Sequence, residues 1–323
     1  MQTHQLTYAV FGVCLIVFGD LAWAQQQVVD PDFDASVSAP AYGRSGPLVA
    51  VDAAHSNFHT ADGNYRPFVE LLKNDGYRVV SLDRQFDSQA LAEVDVLVVA
   101  NANAQNFTDP AFTEGECDFV RDWVRNGGSL LLIADHAPFG SSAANLASRF
   151  GVSMGRGWVF DTVAGNLTTQ LSYSIENGLL GAHSILRGRD QSESVSLVRT
   201  FTGQSLSVPE GVSVLLRLSS TAREAATTDD LDAEAAAYSN AETDQFGARS
   251  VPVASRTQGL AMRFGDGKVV VLGEAAMFSA QVVTLPTDNG PVTFRAGMNV
   301  PGNDNRQFAL NVLHWLSGAL GGD

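Results

Sequence analysis

Short apolar runs at residues 48–51, 96–100, 130–134 and 269–272 alternate with segments whose apolar residues recur every three or four positions. Tyr65, Phe68, Val69 and Leu72 follow the i, i+3, i+4, i+7 spacing of an amphipathic helix, with Asn64 placed to cap it, Pro67 in its first turn and Gly76 closing it. Residues 77–82 read as the next strand. Phe112, Phe119, Val120, Trp123 and Val124 make the buried stripe of a second helix over 112–125, stopped by Gly127-Gly128. The unbroken apolar run 130–134 suits a strand covered on both faces. A helix over 141–150, capped by Ser141 or Ser142 and closed by Gly151, follows it. Further on, 195–201 and 212–218 read as strands at the sheet edge, and 259–264 and 268–272 as a hairpin around Gly265-Asp266-Gly267. A last helix over 305–316 has Phe308, Val312, Trp315 and Leu316 on one face.

Strands alternating with helices predict an α/β fold with a doubly wound, flavodoxin-like parallel sheet. The expected order is 2-1-3-4-5 for 48–51, 78–82, 96–100, 130–134 and 269–273, with β additions at the edge. Residues 47–320 form a single domain in this reading. Residues 25–46, rich in Asp, Ser, Ala and Pro, read as an exposed linker, and 222–250, with few large apolar residues, as a solvated insertion.

Composition narrows the function. The formal charge of −15 leaves no basic footprint for nucleic acid and opposes docking on anionic lipid. The apolar stretch 10–18 is too short to span a bilayer, and Ala22-Trp23-Ala24 offers a small-x-small cleavage site before Gln25. Residues 1–24 therefore read as a signal peptide, giving a periplasmic or secreted protein with no membrane anchor after cleavage. Cleavage removes Cys14 and leaves Cys117 as the one cysteine, on a helix face shared with Val120 and Val124. It reads as a small core residue, not a nucleophile.

Candidate chemistry gathers at strand ends. Four apolar runs lead into Asp52, Asn101, Asp135 and Glu274. In open parallel sheets ligands bind outside the carboxyl ends of the strands, so these residues are expected on one rim. His55 and His59 follow the first strand and His136 the fourth, whereas His183 and His314 do not follow these strand ends. Two chemistries fit. His55, His59 and His136, with Asp52 and Asp135 nearby, could ligate a divalent metal such as zinc. Alternatively Asp135, His136 and Glu274 could share proton transfer without a metal. Asp52, Asn101 and Gln281 would then orient a small-molecule substrate.

The segment Gly127-Gly128-Ser129-Leu130-Leu131-Leu132-Ile133-Ala134-Asp135-His136 resembles the class I glutamine amidotransferase-like superfamily. It is most similar to branches without the amidotransferase cysteine, such as the trehalose-utilisation type and related exported proteins. The resemblance covers about residues 47–151 and 258–318. In amidotransferases the turn after this strand carries the nucleophilic cysteine; here Asp135-His136 stands in its place, so glutamine hydrolysis is not expected. His136 resembles a histidine near this turn in the trehalose-utilisation type. The expected function is a hydrolase-like or lyase-like enzyme acting on a small organic or carbohydrate-derived substrate. The alternative is a non-catalytic ligand-binding or scaffold domain on the same fold.

Overall fold

The computed structural model describes residues 26–43, 45–104, 110–163, 165–241, 244–285 and 290–321; the expected signal peptide lies outside them. The central sheet has seven strands, numbered along the chain: β1 (Leu48–Asp52), β2 (Arg78–Leu82), β3 (Val96–Ala100), β4 (Ser129–Ile133), β5 (Ser213–Arg217), β6 (Thr257–Phe264) and β7 (Gly267–Leu272). Their spatial order is β5–β6–β7–β4–β3–β1–β2. β2, β1, β3, β4 and β7 are parallel neighbours, while β6 runs antiparallel to both β7 and β5. Counting only the parallel strands along the chain gives the expected order 2-1-3-4-5.

The sheet is doubly wound because alternate residues of each strand meet different helices. Val49, Val51, Val96, Val98, Leu131, Ile133, Val270 and Leu272 pack with α1 (Arg66–Asn74) and the C-terminal helix Asn305–Ser317. Ala50, Leu97, Val99, Leu130, Leu132, Val269 and Val271 pack with α2 (Glu114–Arg125) and α3 (Phe139–Ser148). β3 and β4 are buried at every position, and each enclosed Val, Leu or Ile contributes about 1.5–3 kcal/mol relative to exposure. Cys117 belongs to this second layer.

Several local expectations are corrected. Asn64 does not cap α1, whose N-cap is Tyr65 without a side-chain bond. α3 begins at Phe139, earlier than expected, after Pro138; the Ser142 hydroxyl donates to Asn103 Oδ1 instead of capping. The 195–201 strand is reduced to Leu197–Arg199 and pairs with Ser172–Ser174 in a separate ribbon, away from the sheet edge. The 25–46 segment is packed, not a free linker. Gln26–Val29 pairs with Ala280–Leu285, which pairs in turn with Val292–Gly297, and Asp30 and Ala35 are buried. The 222–250 segment is packed as well. Arg223–Ala225 joins a second sheet between Trp158–Val163 and Ser250–Pro252, and α4 (Thr228–Ser239) buries Leu231, Glu234 and Ala237. The Glu234 carboxylate accepts the Gly247 and Arg249 N–H groups and the Ser250 hydroxyl, so a polar side chain supplies order where apolar ones are scarce. The C-terminal helix Asn305–Ser317 is α5 below.

Candidate functional site

The parallel registers bring the ends of β1, β3, β4 and β7 to one rim. Ala100 and Leu272 both stand beside Ile133, so Asn101, Asp135 and Glu274 emerge together. Asn101 adopts positive φ (48°), and its Oδ1 accepts the Asp135 N–H at 2.9 Å, fixing the turn after β4. The Asn101 carbonyl accepts the Phe58 N–H and ties down the loop after β1. Asn tolerates this left-handed backbone better than most residues, which is a reason for its place here.

His55 is enclosed between two carboxylates. Nδ1 lies 2.9 Å from both Asp52 oxygens and Nε2 lies 3.0 Å from Glu116 Oε1, with the ring packed between Phe86 and Phe112. A carboxylate partner on each nitrogen requires a donor on each, which is the imidazolium. Burial disfavours that charge, but the Asp52 hydrogen bond and charge, then those of Glu116, outweigh it and raise the His55 pKa. Glu116 also closes the capping box of α2 with Thr113, so the cluster ties the β1 loop to the start of α2. The remaining Asp52 capacity goes to the Ala54 N–H and the Asn57 amide. Both Asp52 and His55 are thus consumed internally.

Polar capacity is left open around Asp135. Its Oδ1 accepts the His136 N–H at 2.7 Å and the Thr202 hydroxyl at 3.2 Å, while Oδ2 has no partner among the described residues. His136 Nδ1 lies 2.8 Å from the Ala137 carbonyl. A carbonyl can only accept, so Nδ1 donates to it, and Nε2 has no partner among the described residues. The ring stacks on Trp158 at 5.1 Å, and Phe139 lies 6.2 Å away. Phe58, half-exposed, stands 6.0 Å from Phe139 and continues this aromatic wall.

Beneath it lies Glu274, fully enclosed, with its oxygens accepting the Ala276 and Met277 N–H groups at 2.9 and 2.8 Å. Burial first, then the charge of Asp135, push its pKa well above the carboxylate range against the pull of these backbone donors. Gly203 makes the close approach possible: at φ 128°, a Cβ there would meet the Gly273 carbonyl at 2.4 Å and Glu274 Cβ at 3.0 Å. Tyr65 donates to the Ala275 carbonyl, and its own pKa is raised by burial, then by Glu274 and Asp135. His59 stacks on Tyr65 at 4.6 Å, and its buried Nδ1 has no partner. Burial pushes the His59 pKa down to about 3, so the ring is neutral.

The structure therefore joins Asn101, Asp135, His136, Glu274 and, through Tyr65, His59. It does not join His55 to His59 and His136 as a metal triad: His55 is occupied, and among the described residues no three His, Cys, Asp or Glu side chains are arranged to hold an ion. Gln281 lies in the separate sheet with Gln26–Val29, with Nε2 buried and unpartnered and no hydrogen bond to the rim residues. Burial pushes the Cys117 thiol up to about 12, away from nucleophile chemistry. A cavity of about 550 Å³ at the amino ends of β3 and β4, lined by Leu91, Phe119 and Trp123, contains no histidine and lies at the opposite end of the sheet. Sequence reasoning missed Glu116, Thr202 and Trp158 and read Tyr65 only as helix stripe. The Thr113-x-x-Glu116 spacing was the available signal for Glu116; Thr202 and Trp158 sit in a stretch without periodicity.

Residues 57–283 match the model of a domain of unknown function, DUF4350. The chain belongs to that family. The match spans His59, Asp135, His136 and Glu274 but begins after Asp52 and His55. Among solved structures, this DUF4350 member is similar to the N-terminal domain of mmIFT52, at 16% identity and a TM-score of 0.56, covering 85% of this chain and 98% of that one. A ThuA-like protein from Bacteroides uniformis matches at 10% identity and a TM-score of 0.42, over 87% of this chain and 93% of that one. The likeness to the mmIFT52 domain concerns the fold alone. Among curated proteins, none matches the chain.

Proposed function

We propose that the chain is an exported enzyme of hydrolytic or lyase type, on a class I glutamine amidotransferase-like fold without the cysteine. Its substrate is a small organic or carbohydrate-derived molecule bound over the ends of β1, β3, β4 and β7. The observation that carries this reading is the carboxyl pair: Asp135 keeps one oxygen open to the rim, while Glu274 below it is pushed well up by burial and by Asp135 itself. Neighbouring acids whose affinities for a proton are driven apart are the usual basis of acid/base assignment. Asp135 is the group that takes a substrate proton, His136 Nε2 is a second acceptor on the reacting molecule, and Asn101 holds the turn that presents both. Glu274 is too enclosed to touch substrate and acts as a positioning residue through Asp135. The aromatic wall of Phe58, Phe139 and Trp158 suits the apolar face of a sugar ring. Export, to the periplasm or medium, rests on the apolar run 10–18 and the Ala22-Trp23-Ala24 site.

One observation favours a second reading, a non-catalytic ligand-binding domain: the backbone donors on Glu274 give that carboxyl a structural task. The two separate in one experiment, in which neutral mono- and disaccharides and aldonolactones are incubated with the protein and followed by NMR. The enzyme reading expects one to be consumed, with Asp135→Asn slowing turnover by about 10²-fold or more. Binding without consumption in both proteins would give the second reading first place.

A further inference from the structure

The buried acids of this fold mostly have a basic side-chain partner or donors on both oxygens. Asp52 and Glu116 share His55, Asp75 meets His314 at 2.7 Å, Glu193 meets Arg189, and Asp30 meets Arg295. Asp161 and Glu234 have no cation, yet hydroxyl or backbone donors reach both oxygens of each. Glu274 is of the second kind, with a backbone donor on each oxygen; Asp135 is different. Among the described residues neither Asp135 nor Glu274 forms an ion pair, and Asp135 Oδ2 has no donor at all. Phe201 and Thr202 hold the two acids side by side, since the Phe201 backbone bonds Glu274 and the Thr202 hydroxyl bonds Asp135.

Two imidazoles beside Asp135 also have nitrogens without a partner among the described residues. His136 Nε2 has no partner among the described residues, and in the neutral ring the Nδ1 bond to Ala137 leaves it as a lone pair. The His59 ring, 3% exposed and stacked on Tyr65 next to the acids, has a buried nitrogen with no partner. Among the described residues the rim thus offers Asp135 Oδ2 with no donor and His136 Nε2 with no partner, flanked by aromatic rings. A metal ion would need a third protein ligand that is not gathered here. An anion would face two carboxyl groups and a chain of charge −15. An organic cation fits every feature: it donates to a carboxylate and an imidazole lone pair, and aromatic faces attract it.

We infer that the molecule bound at this rim carries a protonated amine, received by Asp135 Oδ2 and His136 Nε2 beside Phe58 and Phe139. This rests on the site assigned above and narrows its substrate to an amino-substituted ring, such as an amino sugar, over a neutral or acidic one.

The test is a charge series on constant skeletons, measured by ligand-observed NMR titration of the full mature chain at pH 7. Cyclohexylamine, cyclohexanol and cyclohexanecarboxylate form one set, and glucosamine, glucose and glucuronate the other. The amines are expected to bind at least about ten-fold tighter than the alcohol or neutral sugar, with the carboxylates weakest. Asp135→Asn should remove that preference, bringing the amine down to the affinity of the matching alcohol or neutral sugar. Phe58→Ala, at an exposed position where folding is not in question, should weaken the amines by about three-fold or more. Equal or tighter binding of the neutral or anionic probes, no binding by any probe, or an amine preference that survives Asp135→Asn would overturn the inference. If cyclohexylamine passes and no sugar binds or reacts, the carbohydrate reading fails while the amine inference stands. If glucose is turned over in preference to glucosamine, the amine inference fails while the enzyme reading stands.

Discussion

His59 shows how one side chain couples the rim to the stability of the whole fold. Its ring is neutral down to about pH 3 in the folded chain, because burial removes the water that would solvate the charge. In the unfolded chain it titrates near the ordinary value of about 6.5. Protons therefore bind the unfolded state first, and the stabilisation present above about pH 6.5 is lost as pH falls towards 3. The slope is about 1.4 kcal/mol per pH unit for one proton. His55 has the opposite sign: its pKa is raised, so its contribution is complete below the unfolded value and fades as pH rises through the folded one. Replacing His59 by Phe, which keeps the stack on Tyr65, is expected to flatten the acid limb of stability measured by urea unfolding between pH 4 and 6.5. An unchanged limb would mean that the buried ring does not titrate as its surroundings require. Nothing in the sequence separated these two histidines; both followed the first strand, and only enclosure and partners distinguish a charged clamp from a neutral ring.

At the scale of elements, the rim depends on the β1 loop being held against α2. The Asp52–His55–Glu116 bridge makes that attachment, and the Thr113–Glu116 capping box fixes the helix end that receives it. Removing the cation leaves two buried carboxylates facing each other. His55→Ala is expected to cost about 3–5 kcal/mol in chemical denaturation, the usual range for breaking a buried pair from one side. Loss of less than about 1 kcal/mol would show that water replaces the bridge. The strands and helices themselves were legible because both faces of β3 and β4 are enclosed, so their apolar runs are continuous and their ends abrupt. That is also why Asn101, Asp135 and Glu274 could be placed on one rim from sequence. The metal triad was misread for a related reason: strand-end position says that His55 is near the rim, not that both its nitrogens are already taken. Residues 222–250 looked solvated because their order comes from Glu234 with its backbone partners and from a few scattered apolar residues, Leu231, Tyr238 and Phe246, packed with Trp158 and Phe160, a pattern that hydrophobic periodicity does not register.

For the molecule as a whole, the segment that looked least structured acts as a strap. Gln26–Val29 covers the edge of Ala280–Leu285. Farther along, the Ala35 carbonyl accepts the Asn74 amide, the Ala39 carbonyl accepts Arg189, and the Ala41 N–H donates to Asp75 Oδ1. Tyr42 packs edge-on against Tyr77 and bonds Ser317 at the end of α5. The strap therefore seals the Asp75–His314 pair, both members of which are fully enclosed. Alanines do this through their backbone groups and Tyr42 through its ring and hydroxyl, so composition alone suggested a linker. Cleavage after Ala24 would keep every one of these contacts, whereas a chain beginning at Pro47 would lose them and wet the buried pair. The proposed export predicts that terminal sequencing of the natively expressed protein finds Gln25 first. The chain starting at Pro47 is expected to be less stable by several kcal/mol, on the order of a buried pair opened to water plus a lost edge strand, and more prone to aggregate through the bared edge at Ala280–Leu285. Equal denaturation midpoints for the two chains would return residues 25–46 to the status of a linker.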